Sequence, residues 1–401
     1  MYIITAATLA MGWESVLGQD RVKDTLQQTV ARGRVAHAYL FHGPDGTGKR
    51  AAGLALAQTL LCQNASAAPC GSCAACRKVE RLIHPDLHVL FPAPKDVSVD
   101  DLTARVQRLA EHPYAAVDFV RRPSLTDPAK TSNKQAFYSV ARVNEALRRT
   151  MSFKPVEGRY KIALLTDAHL LRTEAANAFL KLLEEPGPQT VFILTTNRLD
   201  RMLPTILSRC QRLRFDPLPA AAIEHALTTR DGIASDRAGM LARMADGSYS
   251  RALDLAENET LLADRQLVLV FFRHAYTRNI DQLADRVEEM GRTGRERVKG
   301  MLRLMLSWLR DLLLYRTLGA EAPLVNIDQR EAIRNFCEKV PSANLEAMVE
   351  LVEEARELVE RNVHINLLLI VLAHALGRAM RGHTVPGLFV PLPEQALQAV
   401  S

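Results

Sequence analysis

The chain has 401 residues, 48% of them hydrophobic and 24% charged, which is typical of water-soluble globular protein with two or three domains. Its formal net charge of +6 permits contact with nucleic acid or an acidic partner, but it is too small to require one. The most apolar run of the C-terminal half, at 367–372, is far too short to span a bilayer, so no membrane contact is expected.

The N-terminus and the cysteines indicate the compartment. Residues 1–11 lack the basic leading segment and the cleavage site of a secretory signal, and Met1 and Met11 are both acceptable starts. Four of the six cysteines lie between positions 62 and 76, a clustering that favours a metal site in a reducing compartment over a disulfide framework. The sequence therefore predicts a cytoplasmic protein.

The first chemical motif is a glycine-rich loop between a predicted strand at 38–41 and a predicted helix at 51–62. Its phosphate-binding residues stand at the fixed positions of a P-loop: Gly43, Gly46, Gly48 and Lys49. Backbone N–H groups at the helix start can hold a phosphate, and the lysine can reach the terminal phosphates. The next residue normally carries the hydroxyl that binds Mg²⁺, but here it is Arg50. A phosphate cradle without its metal ligand is predicted, and a plain glycine turn is the less favoured alternative.

A compact cysteine cluster follows the P-loop helix, at Cys62, Cys70, Cys73 and Cys76. The two-residue gaps fold into tight turns, and Pro69 and Gly71 let the longer gap return, so four thiolates can surround one Zn²⁺. Because no histidine or carboxylate interrupts the set, a structural zinc is predicted rather than a catalytic one. Unrelated buried cysteines are the alternative.

Strands and helices alternate up to about residue 216. Further predicted strands lie at 84–90, 162–165 and 191–197, and further predicted helices lie at 13–34, 140–151 and 174–184. This alternation is typical of an α/β fold with a parallel sheet flanked by helices. Thr166 and Asp167 directly follow one buried strand and Asn197 ends the next, so these residues are predicted at the carboxyl edge of the sheet, facing a nucleotide.

The segment 92–135 mixes proline, aspartate, lysine and serine, and it is predicted to be an insertion on the surface. Its one helix-like piece, at 99–111, can be capped by Ser98. Three histidines lie in or near this region without metal-ligand spacing and are interpreted as ordinary polar positions: His84, His88 and His112.

From residue 217 onward the strand pattern is lost. Short helices are predicted over 217–258, and apolar residues recur at helical spacing from about 260 to 380. A basic run is interpreted as a solvated helix face, with DNA contact as the less favoured alternative: Arg292, Arg295, Arg297, Lys299 and Arg303.

Five ordered motifs together resemble the bacterial DNA polymerase III clamp-loader AAA+ subunits. They are the P-loop, the inserted cysteine cluster, and the stretches at 166–169, 175–186 and 206–210. The resemblance covers roughly residues 13–380. It implies a P-loop AAA+ domain at 1–216 that carries a zinc module at 62–78, a helical lid domain at 217–258, and an all-α oligomerisation (collar) domain at 259–382. Beyond it, the prolines at 386, 391 and 393 indicate a flexible tail at 383–401.

Departures from the family pattern separate its members. The gamma and tau motor subunits carry Thr after the P-loop lysine and an Asp-Glu pair where this chain has Thr166 and Asp167. Both Mg²⁺-supporting positions are thus altered, which resembles the delta-prime type of subunit and implies at most weak ATP or ADP binding. A gamma/tau-like ATP-hydrolysing motor subunit is the alternative.

Two arginines stand at family positions. Ser208-Arg209-Cys210 is intact, and the resemblance implies that Arg209 is an arginine finger reaching into a neighbour's ATP site. Arg251 stands where the family has its second sensor arginine. Without the surrounding motifs, Arg209 would be interpreted as a surface arginine and Arg251 as a helix-cap or ion-pair residue.

The resemblance also implies partners. A delta-prime-like chain would join gamma/tau and delta subunits in a hetero-pentamer, and would act on the sliding clamp and primed DNA through that complex. It would be part of a DNA-directed DNA polymerase holoenzyme without being an active ATPase itself. An unrelated P-loop kinase or helicase is disfavoured by the helical C-terminal half and by the motif around Arg209.

Overall fold

The computed structural model describes residues 11–388, with gaps at 65, 67, 120, 121, 123, 126–135, 145, 146, 148, 152, 258, 259 and 362. It divides into two compact units, 1–257 and 258–401. Met1, residues 126–135 of the predicted insertion and residues 389–401 of the predicted tail lie outside the described residues, whereas Met11 is described. No helix among the described residues is long and apolar enough to cross a membrane.

The first unit is built on a parallel sheet with the strand order β2-β3-β4-β1-β5. Its strands are β1 (Ala38–His42), β2 (Leu87–Leu90), β3 (Lys161–Leu165), β4 (Thr190–Thr196) and β5 (Gln211–Arg214). The predictions of the first four strands are confirmed, and so is the predicted α/β class. Strand β5 was not predicted, because its sequence is polar and largely exposed, as an edge strand paired on one side allows.

Helices connect the strands of the sheet and extend beyond it to residue 257. In the first unit they are α1 (Asp20–Ala31), α2 (Lys49–Leu61), α3 (Ala74–Glu80), α4 (Val99–Glu111), α5 (Val140–Val143), α6 (Arg149–Met151), α7 (Thr173–Glu184), α8 (Pro204–Leu207), α9 (Ala220–Thr229), α10 (Ser235–Met244) and α11 (Tyr249–Glu257). The predicted cap of α4 is confirmed, since Ser98 Oγ accepts the Asp101 N–H at 3.1 Å. The helix predicted at 140–151 is two short pieces, α5 and α6.

The P-loop helix lies close against the sheet. Strands β3 and β4 are buried along their whole length, and α2 packs on them with almost every residue buried. A Cβ at Gly53 would stand 2.9 Å from Leu164 Cδ1, so a larger residue would push this side chain aside and the glycine favours the close approach of helix to strand. This packing fixes the start of α2, and with it the P-loop, at the carboxyl end of β1.

A buried carboxylate ties together the approaches to β2 and β3. Asp86 is fully buried, and its oxygens accept the N–H groups of Val156 at 2.7 Å, Glu157 at 2.8 Å and Gly158 at 2.7 Å. Burial alone would raise the pKa of Asp86, but these three backbone hydrogen bonds outweigh it and leave the pKa lowered. The loop before β3 is therefore held by a charge.

We expect Asp86→Ala to lower the free energy of unfolding by about 3 kcal/mol, because three backbone N–H groups lose the hydrogen bonds that they donate to the buried carboxylate. Since folding lowers the carboxyl pKa, its contribution is complete above the unfolded value near 4 and is lost as pH falls through the folded value. Urea titrations from pH 7 to pH 3 should thus show the difference from wild type shrinking below about pH 4. Asp24→Asn, at an exposed position on α1, is the control. A difference as small as the control's would contradict this role.

The second unit is helical in its described residues. Its helices are α12 (Leu261–Thr277), α13 (Ile280–Arg292), α14 (Arg295–Leu318), α15 (Arg330–Lys339), α16 (Leu345–Glu360) and α17 (Ile365–Met380). They share one apolar core, in which Phe271, Met305 and Leu372 are fully buried. This agrees with the predicted all-α character of the C-terminal half.

Two members of the basic run are structural. Arg297 makes a two-pronged ion pair with the buried Asp264, with nitrogen–oxygen distances of 2.7 and 3.0 Å. Arg295 donates to the carbonyl of Val359 at 2.9 Å. Arg292, in contrast, is exposed and pairs with Glu288 on its own helix. The prediction of a solvated helix face is therefore wrong for Arg295 and Arg297, which hold α14 to its neighbours.

Candidate functional site

The P-loop leaves the sheet between β4 and β5 and turns sharply into α2. Gly43 has φ +143°, and a Cβ there would stand 2.1 Å from the Phe215 carbonyl oxygen. Gly48 has φ +100°, and a Cβ there would stand 2.7 Å from Tyr114 Oη. Both positions require glycine because of backbone conformation and because of close neighbours. The loop has the predicted context of strand, glycine turn and helix.

The P-loop lysine is directed at its own loop. Lys49 is buried, and its ammonium donates to the Gly43 carbonyl at 2.8 Å and also to the Pro44 carbonyl. Arg50 contacts the segment around Tyr114, where its Nε donates to the Pro113 carbonyl at 2.8 Å and its Nη2 donates to the Ala115 carbonyl. The residue in place of the metal-binding hydroxyl thus anchors a segment of the predicted insertion.

That segment is not on the surface. Tyr114, Ala116 and Val117 are buried, and Tyr114 Oη accepts the Leu17 N–H at 2.9 Å. Burial raises the pKa of Tyr114 to about 12, so the hydroxyl stays protonated at neutral pH. The prediction of a surface insertion is therefore wrong for this stretch, which passes against the P-loop.

The other predicted residues of the carboxyl edge do converge. Thr166 is buried behind β3, and Asp167 follows it with φ +48°, donating its N–H to Thr195 Oγ1 at 3.3 Å. Asn197 lies after β4, and its Nδ2 donates to the P-loop carboxylate of Asp45 at 2.7 Å. The parallel sheet therefore brings these side chains to one edge, as the sequence predicted.

The cleft between these residues is small. It is lined by Asp45, Gly46, Gly48, Lys49, Arg50, Ala51, Pro113, Tyr114, Thr166, Asp167, Thr195 and Ser250. Its volume is about 50 Å³, whereas ligand pockets generally occupy roughly 300–1,000 Å³. Tyr114 and Ser250 close it from the side of the insertion and the side of α11.

Residues that sequence reasoning missed complete this closure. The Tyr249 N–H donates to the Gly46 carbonyl at 3.0 Å, and Ser250 Oγ donates to the Tyr114 carbonyl at 2.7 Å. Arg251, the predicted second sensor, is exposed on the first turn of α11. No periodicity could reveal these contacts, since Arg50 and its partner Ala115 are 65 positions apart. An arginine at a hydroxyl position, which needs acceptors nearby, was the one available signal.

The four predicted metal ligands meet at one point. The sulfurs of Cys62, Cys70, Cys73 and Cys76 all lie within 4.8 Å of one another, and a tetrahedral zinc with bonds of about 2.3 Å would need sulfurs about 3.8 Å apart. Local structure explains the convergence. Cys62 directly follows α2 as its C-cap residue, and Cys73 caps α3 by accepting the Cys76 N–H at 3.4 Å.

The cysteines of the cluster differ in how readily they lose a proton to become metal ligands. Backbone N–H groups of Ser72 and Cys73 lower the pKa of Cys70 to about 6, so this sulfur is a thiolate at neutral pH. Burial raises the pKa of the Cys76 thiol, so binding of a metal at this sulfur would release a proton. The donor set of four sulfurs fits a closed structural zinc site, in which the ion would cross-link the end of α2 to the start of α3.

Arg209 lies at the opposite edge of the sheet from the P-loop. Strand β5 begins beside Tyr39 and runs parallel to β1, so Arg209 precedes the strand at its amino end. The length of β1 puts it roughly 15 Å or more from the chain's own P-loop. Its guanidinium is partly exposed, pairs with Glu184 at 2.7 Å and donates to the Thr205 carbonyl at 3.0 Å.

Both units match described protein families. Residues 18–219 match the family "DNA polymerase III, delta subunit", and residues 282–377 match "DNA polymerase III, delta subunit, C terminal". Among curated relatives, the Bacillus subtilis DNA polymerase III subunit delta' is 28% identical over 365 residues, covering 89% of this chain and 96% of the relative. The Bacillus subtilis subunit tau is 25% identical over 368 residues, covering 86% of this chain and 58% of that protein.

One solved structure with a similar fold is a gamma subunit-related protein of Thermotoga maritima DNA polymerase III. It has 13% identity and a TM-score of 0.41, and the match covers 90% of this chain and 99% of that one. The family matches are the stronger result, since one of them spans half of the chain and includes the P-loop, the cysteine cluster and Arg209. The chain therefore belongs to the bacterial DNA polymerase III clamp-loader AAA+ family, within which it matches the delta subunit descriptions in both of its units.

Proposed function

We propose that this chain is a delta-prime-like clamp-loader subunit that does not hydrolyse ATP itself. In this role it assembles in the cytoplasm with gamma/tau and delta subunits, its helical second unit serving as the oligomerisation collar. Through that complex it helps to load the sliding clamp onto primed DNA. Arg209 is donated to the ATP site of a neighbouring motor subunit.

The observation that carries this proposal is the contrast between the two edges of the sheet. At the carboxyl edge, Arg50 replaces the metal-binding hydroxyl and is committed to carbonyls of the insertion, and the cleft has about 50 Å³ of space. Catalysis of phosphoryl transfer depends on a metal that neutralises charge on the transferring group. At the amino edge, Arg209 is partly exposed in an intact motif and pairs with Glu184. The residues at the carboxyl edge thus support a cleft that does not hydrolyse ATP, and the intact motif at the amino edge supports donation of Arg209 to a neighbour.

The alternative is a gamma/tau-like motor subunit, and the similarity to the Bacillus subtilis subunit tau supports it. The two functions differ in one measurable property, because a motor subunit turns over ATP with its own P-loop. A delta-prime-like subunit affects ATP turnover only through its neighbours.

We expect the purified chain to show no steady-state ATP hydrolysis, and Lys49→Ala to leave that result unchanged. A loader reconstituted from gamma/tau and delta subunits should fail to load the clamp until this chain is added. Lys49→Ala should restore loading as well as wild type does, because the lysine is directed at its own loop. Turnover by the isolated wild-type chain that disappears in Lys49→Ala would instead establish the motor function.

A further inference from the structure

Residues 98–119 and 122 of the predicted insertion form a structured piece, named here the arm. Its internal support is Arg105, which is fully buried. The guanidinium donates to the Val117 carbonyl at 2.9 Å and to the Arg122 carbonyl at 2.7 Å, and it lies 3.6 Å from the ring centroid of Phe119. The buried guanidinium of Arg105 thus holds helix α4 and the segment after it together.

The arm fills the space beside the P-loop. Tyr114 stands against Gly48, where it accepts the Leu17 N–H, and Arg50 holds the carbonyls on both sides of it. A ligand that extended from the cleft toward the arm would have to displace this tyrosine. Such a displacement would also leave the Leu17 N–H and the Arg50 guanidinium without these acceptors, which costs free energy for buried groups.

The arm is also bound to α11, the helix that closes the cleft. Arg108 pairs with Glu257 at 2.8 Å, and Arg122 pairs with Asp254 at 3.2 Å and also with Glu257. Near the start of the same helix, the rings of Tyr114 and Tyr249 meet edge-to-face with centroids 4.9 Å apart. Contacts at both ends of α11 therefore come from the arm.

The buried carboxylate of Asp231 also contacts the first residue of α11. Tyr249 Oη donates to Asp231 Oδ2 at 2.6 Å, and His112 Nε2 lies 3.6 Å from the other oxygen of that carboxylate. Burial raises the pKa of Tyr249, so its hydroxyl remains a donor at neutral pH. The arm, the helix start and the segment before α10 meet in one polar contact.

We propose that the arm is an intramolecular clamp that holds α11 closed on the P-loop in the absence of nucleotide. In lids that close on a ligand, the ligand supplies the free energy of closure. Here the arm supplies the corresponding contacts, so the position of α11 is independent of ATP and ADP. This inference deepens the proposed function at the same cleft, since it gives a physical reason for a subunit that does not respond to nucleotide.

The test is hydrogen exchange of backbone amides in α11, measured on the full chain without nucleotide. In Arg108→Ala/Arg122→Ala we expect exchange at residues 249–257 to accelerate by about tenfold, because both ion-pair anchors are lost. Exchange in β3 and β4 should stay as in wild type. Arg34→Ala/Arg81→Ala removes the same charge at two exposed positions and should change nothing in α11. Unchanged exchange of α11 in the arm variant would overturn the proposal.

Two further measurements keep the outcome decisive. If the arginine variant unfolds as a whole, Asp254→Asn/Glu257→Gln removes the same ion pairs from the side of α11 and should accelerate exchange there while the arm stays intact. Addition of millimolar ADP to the wild type should leave α11 exchange unchanged, and protection by ADP would show that nucleotide closes the lid instead. Because the arm measurement is made without nucleotide, its result does not depend on whether the chain hydrolyses ATP.

Discussion

Replacing Arg209 with alanine is expected to lower ATP hydrolysis at one neighbouring motor site by a factor of about 10³ or more, without affecting assembly. The reason is the charge that spreads over the γ-phosphate oxygens in the transition state, which a guanidinium delivered from outside stabilises. Other subunits keep their own fingers, so the total clamp- and DNA-stimulated turnover of the loader should fall by the share of one site.

The controls separate a finger from an interface arginine. Arg198→Ala removes an exposed arginine that pairs with Asp200 on the opposite edge of the sheet, and it should leave turnover unchanged. Glu184→Gln releases the guanidinium of Arg209 and should preserve turnover, since the catalytic group is intact. Normal assembly with wild-type hydrolysis and wild-type clamp loading by Arg209→Ala would show that the donor role is wrong.

Loss of one cysteine ligand should have the largest structural effect. We expect one tightly held Zn²⁺ per chain in the wild type and a large loss of metal in Cys73→Ser, which also removes the cap of α3. Structural zinc contributes on the order of 10 kcal/mol to the folding of small modules. Residues 62–78 should therefore become sensitive to proteolysis and exchange rapidly, while the sheet persists.

Metal analysis of protein purified without chelator measures the first part of this expectation, and limited proteolysis measures the second. Cys337→Ser, which changes a half-buried thiol of the second unit, should retain the metal and the wild-type cleavage pattern. Less than half an equivalent of zinc in the wild type would contradict the assignment of the four sulfurs.

The sequence contained those parts of the fold that depend on local pattern. Buried parallel strands are continuous apolar runs, so β3 and β4 were recognisable, and the P-loop and the cysteines carry fixed spacings. The capping of α4 by Ser98 also follows from neighbouring residues alone. In each of these cases the residues that determine the structure lie within a few positions of one another.

What could not be predicted depends on contacts between distant parts of the chain. Strand β5 forms because β1 offers an open edge, and its own residues give no strand pattern. The sequence shows Tyr114 only as a tyrosine within a polar insertion and does not show that it contacts Gly48 of the P-loop. Arg295 and Arg297 were placed in a solvated basic run, since the sequence does not reveal that Asp264 and the end of α16 face them. Such pairings are properties of the assembled fold.

The placement of the cleft and of Arg209 at opposite ends of the strands gives this domain a polarity. Subunits that each extend a finger from one edge into the next subunit's cleft associate by a heterologous, head-to-tail interface, which propagates as long as every member has both halves. Under the proposed function this chain contributes an arginine finger but no cleft that uses one. It donates Arg209 to one neighbour, but its own cleft requires no finger from another subunit. Such a chain therefore occupies the end of the row of subunits, and its orientation sets the direction in which the row extends.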